Sequence, residues 1–156
     1  MVGEPPGTPM KPTPPGWPRI SSGLYYQDAG AAIDWLCKAF GFQIRIKIDG
    51  ANGSIEHSEL ELADGLIMVG SADVKRAWCR SPKSLQGANT QSLMVYVDDV
   101  EAHFQRARGA GAKMCSEPTT VDYGEDYWSD RGYECIDPEG HHWWFFQRLR
   151  SPKPKG

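Results

Sequence analysis

The chain lacks several features that would place it quickly. Its 156 residues contain no apolar run near the roughly 18 needed to cross a bilayer, so no membrane span is expected. Its first residues carry no apolar stretch of the signal-peptide kind, which points to the cytoplasm. Basic residues are not in excess: 17 Lys and Arg stand against 20 Asp and Glu, a formal charge of -3. A nucleic-acid partner is therefore not expected, because phosphate binding needs a basic face. Cys37, Cys79, Cys115 and Cys135 lie far apart with no C-x-x-C pair. That argues for free thiols in a reducing compartment rather than disulfides or a zinc cluster. The length fits one domain, or two small similar halves sharing a core.

Proline and glycine, by contrast, are plentiful and gather at the ends. "MVGEPPGTPMKPTPPGWP" (1–18) is too rich in both for a helix or central strand and reads as a tail, or as an arm lying on the body or on a partner. The end of the chain, 149–156 with "SPKPKG", is a second tail. The body is 19–148, with one half over about 19–72, a looser linker over about 73–90, and a second half over about 91–148.

The two halves repeat one order. "RISSGLYY" is a strand, and "DAGAAIDWLCKAFGF" a helix that starts at the capping Asp28 and puts Ala29, Ile33, Leu36, Cys37 and Phe40 on one face. Gly41 stops it in the left-handed conformation that helix ends favour. "QIRIKI", "GSIEHSELEL" and "LIMVGS" are three strands, the last two joined by a turn at "ADG". The second half restarts with the strand "SLMVYV". The helix "DDVEAHFQRARGAGA" buries Val100, Phe104 and Ala107 and stops at Gly109 or Gly111, and the strands "KMCSEP", "GYECID" and "HHWWFFQR" follow. The expected fold is α+β: two βαβββ modules forming a shared, cupped mixed β-sheet with helices on the outer face.

Strand alternation then assigns faces. Leu60, Leu62, Ile67, Val69, Leu93, Val95, Trp143 and Phe145 suit the helix side. Ser21, Gly23, Tyr25, His57, Glu59, Glu61, Met68, Ser92, Met94, Tyr96, His142, Trp144 and Phe146 fall on the other. That free face is aromatic and sulfur-bearing with a few polar groups, the usual lining of a pocket for a flat organic ligand.

"AAIDWLCKAFGF", "VYVDDVEAHFQRARGAGA" and "WSDRGYECIDPEGHHWWFF" make the chain resemble the vicinal oxygen chelate superfamily, which includes glyoxalase I, extradiol dioxygenases and bleomycin-resistance proteins. The last stretch is the most specific; Ser129 stands where the pattern carries glycine. The resemblance covers about residues 20–147, and is strongest to glyoxalase/bleomycin-resistance-like proteins of unassigned substrate. It implies a homodimer whose modules cooperate to form the cavities. Metal-using members take His, Glu or Gln ligands from four strands, and the matching positions here are Ser21, Met68, Ser92 and Trp144. None is a good ligand for a borderline divalent ion, so no cofactor is expected.

The expected function is metal-independent binding of an aromatic or amphipathic small molecule. Tyr25, Met68, Met94, Tyr96, Tyr127, Trp128, His142 and Trp144 would form the walls, and His57 and Glu59 the polar contacts. The alternative is an enzyme of the superfamily, a glyoxalase-like lyase or isomerase or a dioxygenase. It would use His57 as base or ligand and Glu59 beside it, with or without a divalent metal at His57, Glu59 and His142. The His-x-Glu spacing at His57 also occurs in zinc deaminases, but no Pro-Cys-x-x-Cys accompanies it. His141 is expected to pin the start of the last strand through a backbone hydrogen bond, His103 to be a satisfied half-buried histidine, and Arg131 to pair with a carboxylate or carbonyl. Tyr123, Tyr127 and Trp128 either cover the pocket or bury at a subunit interface, and Trp78 poses the same choice.

Overall fold

A computed structural model of the chain describes residues 7 and 9–154; residues 1–6, 8, 155 and 156 of the two expected tails lie outside the described residues. The first module runs β1 (Ser22–Tyr26), α1 (Ala29–Phe40), β2 (Gln43–Asp49), β3 (Ile55–Leu62) and β4 (Gly65–Ser71). The second runs β5 (Leu93–Tyr96), α2 (Val100–Gly109), β6 (Lys113–Met114), β7 (Thr119–Asp122), β8 (Ser129–Ile136) and β9 (His142–Arg150). No helix among the described residues is long and apolar enough to cross a membrane.

The repeat is visible in how each helix begins. The Asp28 carboxylate accepts from the Ala31 amide at 3.0 Å, and the Asp99 carboxylate accepts from Ala102 at 3.0 Å. Each satisfies one of the amides that a helix start leaves without an intrahelical partner. Gly41, at φ 89°, ends α1 in the left-handed region, and its amide closes on the Cys37 carbonyl. Arg106 of α2 adds two hydrogen bonds to the last carbonyls of α1, those of Lys38 and Cys37, and so ties the helices together.

The α+β arrangement of two related modules is as expected, and its hydrogen bonds fall into two mixed sheets. One is ordered β1-β4-β3-β2 and the other β5-β9-β8-β6, with β7 also pairing β8. The first strand of each module lies parallel to its last, β1 with β4 and β5 with β9. The helix-bearing sides of both sheets converge on one core. Phe40 of α1 sits at its centre, 5.0 Å from the Trp143 ring and 4.6 Å from Phe145. Leu60, Ile67, Val69, Trp143 and Phe145 are buried there, and Leu62, Leu93 and Val95 pack against it, on the side that strand alternation assigns.

Two details differ from the simple pattern. A register shift between Ile44 and Ile46 brings Ile46 opposite Glu59 and Ile48 opposite His57, onto the open face. Arg45, at the shift, comes within 3.9 Å of Glu59. In the second module β7 is an additional strand. Its Thr-Thr-Val run suits a pleated edge, and "YGEDYW" becomes the loop joining it to β8. β9 also continues to Arg150, whose guanidinium grips both oxygens of Asp122 at 2.8 and 2.6 Å.

Candidate functional site

A cleft of about 630 Å³ lies where β1, the start of β5, the linker and the start of β9 meet. Tyr25, Met68, Trp78, Arg80, Gln91 and His142 are among its lining residues. Tyr25 and Trp78 stand edge to face, 5.4 Å between ring centroids, an arrangement aromatic pairs favour. Trp78 nevertheless remains 67% exposed, so one large indole surface faces the opening.

The walls are held by the turn that precedes β9. His141 donates from Nε2 to the Tyr25 carbonyl at 2.9 Å, so its ring fixes the start of β9 against β1. Asp137, buried, accepts from the Tyr26 hydroxyl at 2.6 Å and from Trp143 Nε1 at 3.1 Å. Burial first, and the Asp137 carboxylate second, push the Tyr26 phenol well above its ordinary range, so it stays a donor. Glu139 accepts from the amides of Gln27 and Asp28 at 2.6 and 2.9 Å and from the Ser81 hydroxyl at 2.6 Å. One carboxylate thus joins the second module, the approach to α1 and the linker. The Asn89 side chain adds a bridge, donating to the Gly140 carbonyl at 2.8 Å.

Of the residues expected to bind ligand, Tyr25, Met68 and His142 line this cleft, and Trp144 lines an adjoining hollow with His142. His57 and Glu59 sit apart, on the open face of the first sheet, with His57 Nε2 3.3 Å from a Glu59 oxygen. The other Glu59 oxygen accepts from Trp17 Nε1 at 3.2 Å, while the Arg45 guanidinium lies 3.7 Å above the Trp17 ring and donates to the Gly16 carbonyl. The proline-rich segment is therefore strapped across this face at Trp17.

Met94 and Tyr96 are half exposed on the open face of the second sheet. Tyr96 hydrogen-bonds Arg148, which binds Asp130 at 2.6 Å and lies 5.5 Å from the Trp128 ring centroid. Tyr123 and Tyr127 pack against Trp128, at 5.3 and 6.2 Å, and both keep half their surface exposed. His103 has both ring nitrogens occupied. Nε2 donates to the Phe40 carbonyl at 3.0 Å, which leaves Nδ1 to accept from the Tyr133 hydroxyl at 2.6 Å. Arg131 pairs with Glu101 at 2.5 Å.

His57, Glu59 and His142 do not converge as a metal site. Among the described residues, the group of metal-ligating side chains with donor atoms all within 4.8 Å of one another is Cys115, Glu134 and His142. His142 Nδ1 is 2.8 Å from a Glu134 oxygen, so its partner lies on the adjacent strand of its own module.

The comparisons explain the architecture. The model of the Glyoxalase/Bleomycin resistance protein/Dioxygenase superfamily matches residues 19–145. The chain belongs to that superfamily. It is 35% identical over 137 residues to an uncharacterized protein of Mycobacterium bovis, covering 86% of each chain. The crystal structure of TioX from Micromonospora sp. ML1 superposes with a TM-score of 0.64 at 30% identity, covering 83% of this chain and 98% of that one. FosX of Listeria monocytogenes, a fosfomycin resistance protein complexed with Mn(II) and sulfate, shares the fold: TM-score 0.59, 14% identity, 82% and 89% coverage.

The positions that the resemblance matches to the superfamily's metal ligands hold Ser21, Met68, Ser92 and Trp144: two neutral hydroxyls, a thioether and an indole, a set whose chemistry does not suit a borderline divalent ion. The Trp144 ring is committed to its neighbour, lying parallel to Phe146 with centroids 6.1 Å apart. Sequence reasoning missed Arg80, Asn89 and Gln91, because a linker without periodicity gives no sign of which side chains turn inward. It left Trp78 between two roles, and the lone large aromatic in that linker was the available signal.

Proposed function

We propose that this protein binds a flat aromatic or amphipathic small molecule in the cleft between the modules, without a metal at the superfamily's positions. The observation that carries this is the Tyr25–Trp78 pair beside Met68, in a cleft of about 630 Å³. A volume of this order suits a drug-sized ligand, and convergent aromatic surface with few polar groups is its usual lining. Trp78 stacks on the ligand, Met68 adapts to its outline, and Gln91 and His142 supply hydrogen bonds. A second copy completes the surroundings: Ile48, Met94 and Tyr96, 47%, 52% and 47% exposed, are apolar area that association of a homodimer would cover.

The test is intrinsic tryptophan fluorescence and calorimetry with bleomycin and a panel of planar heteroaromatics. Quenching with saturable binding is expected, weakened about tenfold by Trp78→Ala. A stacking contribution of about 1.5 kcal/mol corresponds to that factor. Unchanged affinity in Trp78→Ala refutes the placement of the ligand. Turnover of hemithioacetals or catechols, lost on His57→Ala, would instead establish the enzymatic alternative built on His57 and Glu59.

A further inference from the structure

Cys115 follows β6, Glu134 lies in β8 and His142 opens β9, so three separate segments of the second sheet each deliver one ligand-type side chain. The backbone fixes their proximity. The Cys115 amide donates to the Glu134 carbonyl at 2.9 Å, and β8 and β9 pair Glu134 with Trp144 and Ile136 with His142. Ligands carried on hydrogen-bonded strands hold their geometry better than ligands on loops. Their donor atoms lie within 4.8 Å of one another, Cys115 is exposed, and Glu134 and His142 are partly buried. A tetrahedral zinc site places its ligands about 2.0–2.3 Å from the ion, so the three donor atoms would draw together around a bound cation. Thiolate, imidazole and carboxylate are all established donors to that ion.

We propose that Cys115, Glu134 and His142 form a three-ligand site for a zinc-class divalent cation, with the fourth position left to water on the exposed side. This site shares His142 with the cleft but adds Cys115 and Glu134, which do not line it, and so goes beyond the ligand-binding proposal. Loading exchanges one thiol proton for the ion: the Cys115 proton leaves to solvent and the sulfur binds as thiolate. Thiolate and carboxylate together neutralise the two positive charges.

The test uses the full chain, freed of metal by chelator dialysis and titrated with Co(II) and then with Zn(II). One equivalent of Co(II) is expected to give intense visible bands of tetrahedral geometry and a thiolate-to-cobalt charge-transfer band. That loading should release one proton, and Zn(II) should then displace the cobalt with no further proton release. Cys115→Ser should abolish the charge-transfer band and weaken zinc by more than the ~10–100-fold that loss of an outer partner costs. Glu134→Gln and His142→Ala should each weaken it as well, and Cys37→Ser should change nothing. Cys115 is exposed, so its serine variant is expected to melt with the wild type. Wild-type protein that gives only a weak octahedral spectrum overturns the proposal. So does a charge-transfer band, or wild-type zinc affinity, that survives Cys115→Ser.

Discussion

The strongest prediction concerns Glu139, because one carboxylate holds three parts of the chain together. It is 8% exposed and accepts three hydrogen bonds, from the Gln27 and Asp28 amides and the Ser81 hydroxyl. A hydrogen bond to a charged group contributes about 1.5–3 kcal/mol net. The Ser81 contact is buried and counts in full, whereas the two amides are partly buried and water recovers roughly half of theirs. The sum for Glu139→Ala is about 3–6 kcal/mol. For a domain of this size each kcal/mol lowers the melting midpoint by about 2–4 °C, so a fall of about 6–24 °C is expected. Urea and thermal denaturation followed by circular dichroism measure it. Glu139→Gln keeps the volume but turns an NH2 toward a donor, and should lose about half as much. The linker residue Ser81 would be freed next to the cleft, so Trp78 fluorescence should shift in the same variants. A loss below about 1 kcal/mol in Glu139→Ala would refute the claim that this contact fastens the modules.

Three further outcomes follow from particular contacts. Burial, with a smaller push from Arg106, holds the His103 imidazole below its ordinary range, against the opposing hydrogen bond to Phe40. Its neutral form is favoured in the folded state, so its contribution is present above the unfolded pKa of about 6.5 and is lost as pH falls through the folded value. The urea midpoint should therefore drop between pH 7 and pH 5, with a shallower slope in His103→Gln; equal slopes would contradict this. Gly132→Ala should cost about 2–4 kcal/mol by denaturation, because an added methyl group meets the Phe146 ring and lies 2.8 Å from the Phe145 carbonyl oxygen. Trp17→Ala removes the stacking with Arg45 and the hydrogen bond to Glu59. It should cost about 1–2 kcal/mol and speed tryptic cleavage after Arg19 several-fold, a change that limited proteolysis would detect.

What was legible in the sequence is what short-range rules determine. Asp28 announces a helix start because a capping carboxylate acts three residues away, and Phe40, Phe104 and Ala107 follow from helical periodicity. The alternation in "HHWWFFQR" separates buried Trp143 and Phe145 from half-buried Trp144 and Phe146. The ordinary roles expected of His141, His103 and Arg131 also match their contacts, although the partners Tyr25, Phe40 and Glu101 lie 116, 63 and 30 positions away, because such a role names a kind of partner and not the residue that supplies it. The unread features all depend on partners far along the chain. Glu139 binds residues more than 110 positions away, and Trp17 reaches Glu59 across 42. Cys115, Glu134 and His142 meet only because β6, β8 and β9 pair, and the brevity of β6 hid that neighbourhood. Glu139 itself lies in the turn before β9, where a carboxylate normally signals solvent.

On the proposed reading, Met68 and Trp144 supply surfaces that reward a polarizable, planar ligand rather than a cation. His57 and Glu59, the polar pair that sequence alone makes the leading catalytic candidates, are engaged by Trp17 and Arg45 on another face. A base needs reach to a substrate proton, about 2.6–3.2 Å. While Trp17 donates to Glu59, that carboxylate offers only the oxygen it already shares with His57. An enzymatic role for the pair would thus require the strap to leave first. Trp17→Ala discriminates between the two readings: it should leave ligand affinity at the Tyr25–Trp78 cleft unchanged, and it should raise turnover if His57 and Glu59 are the reacting groups.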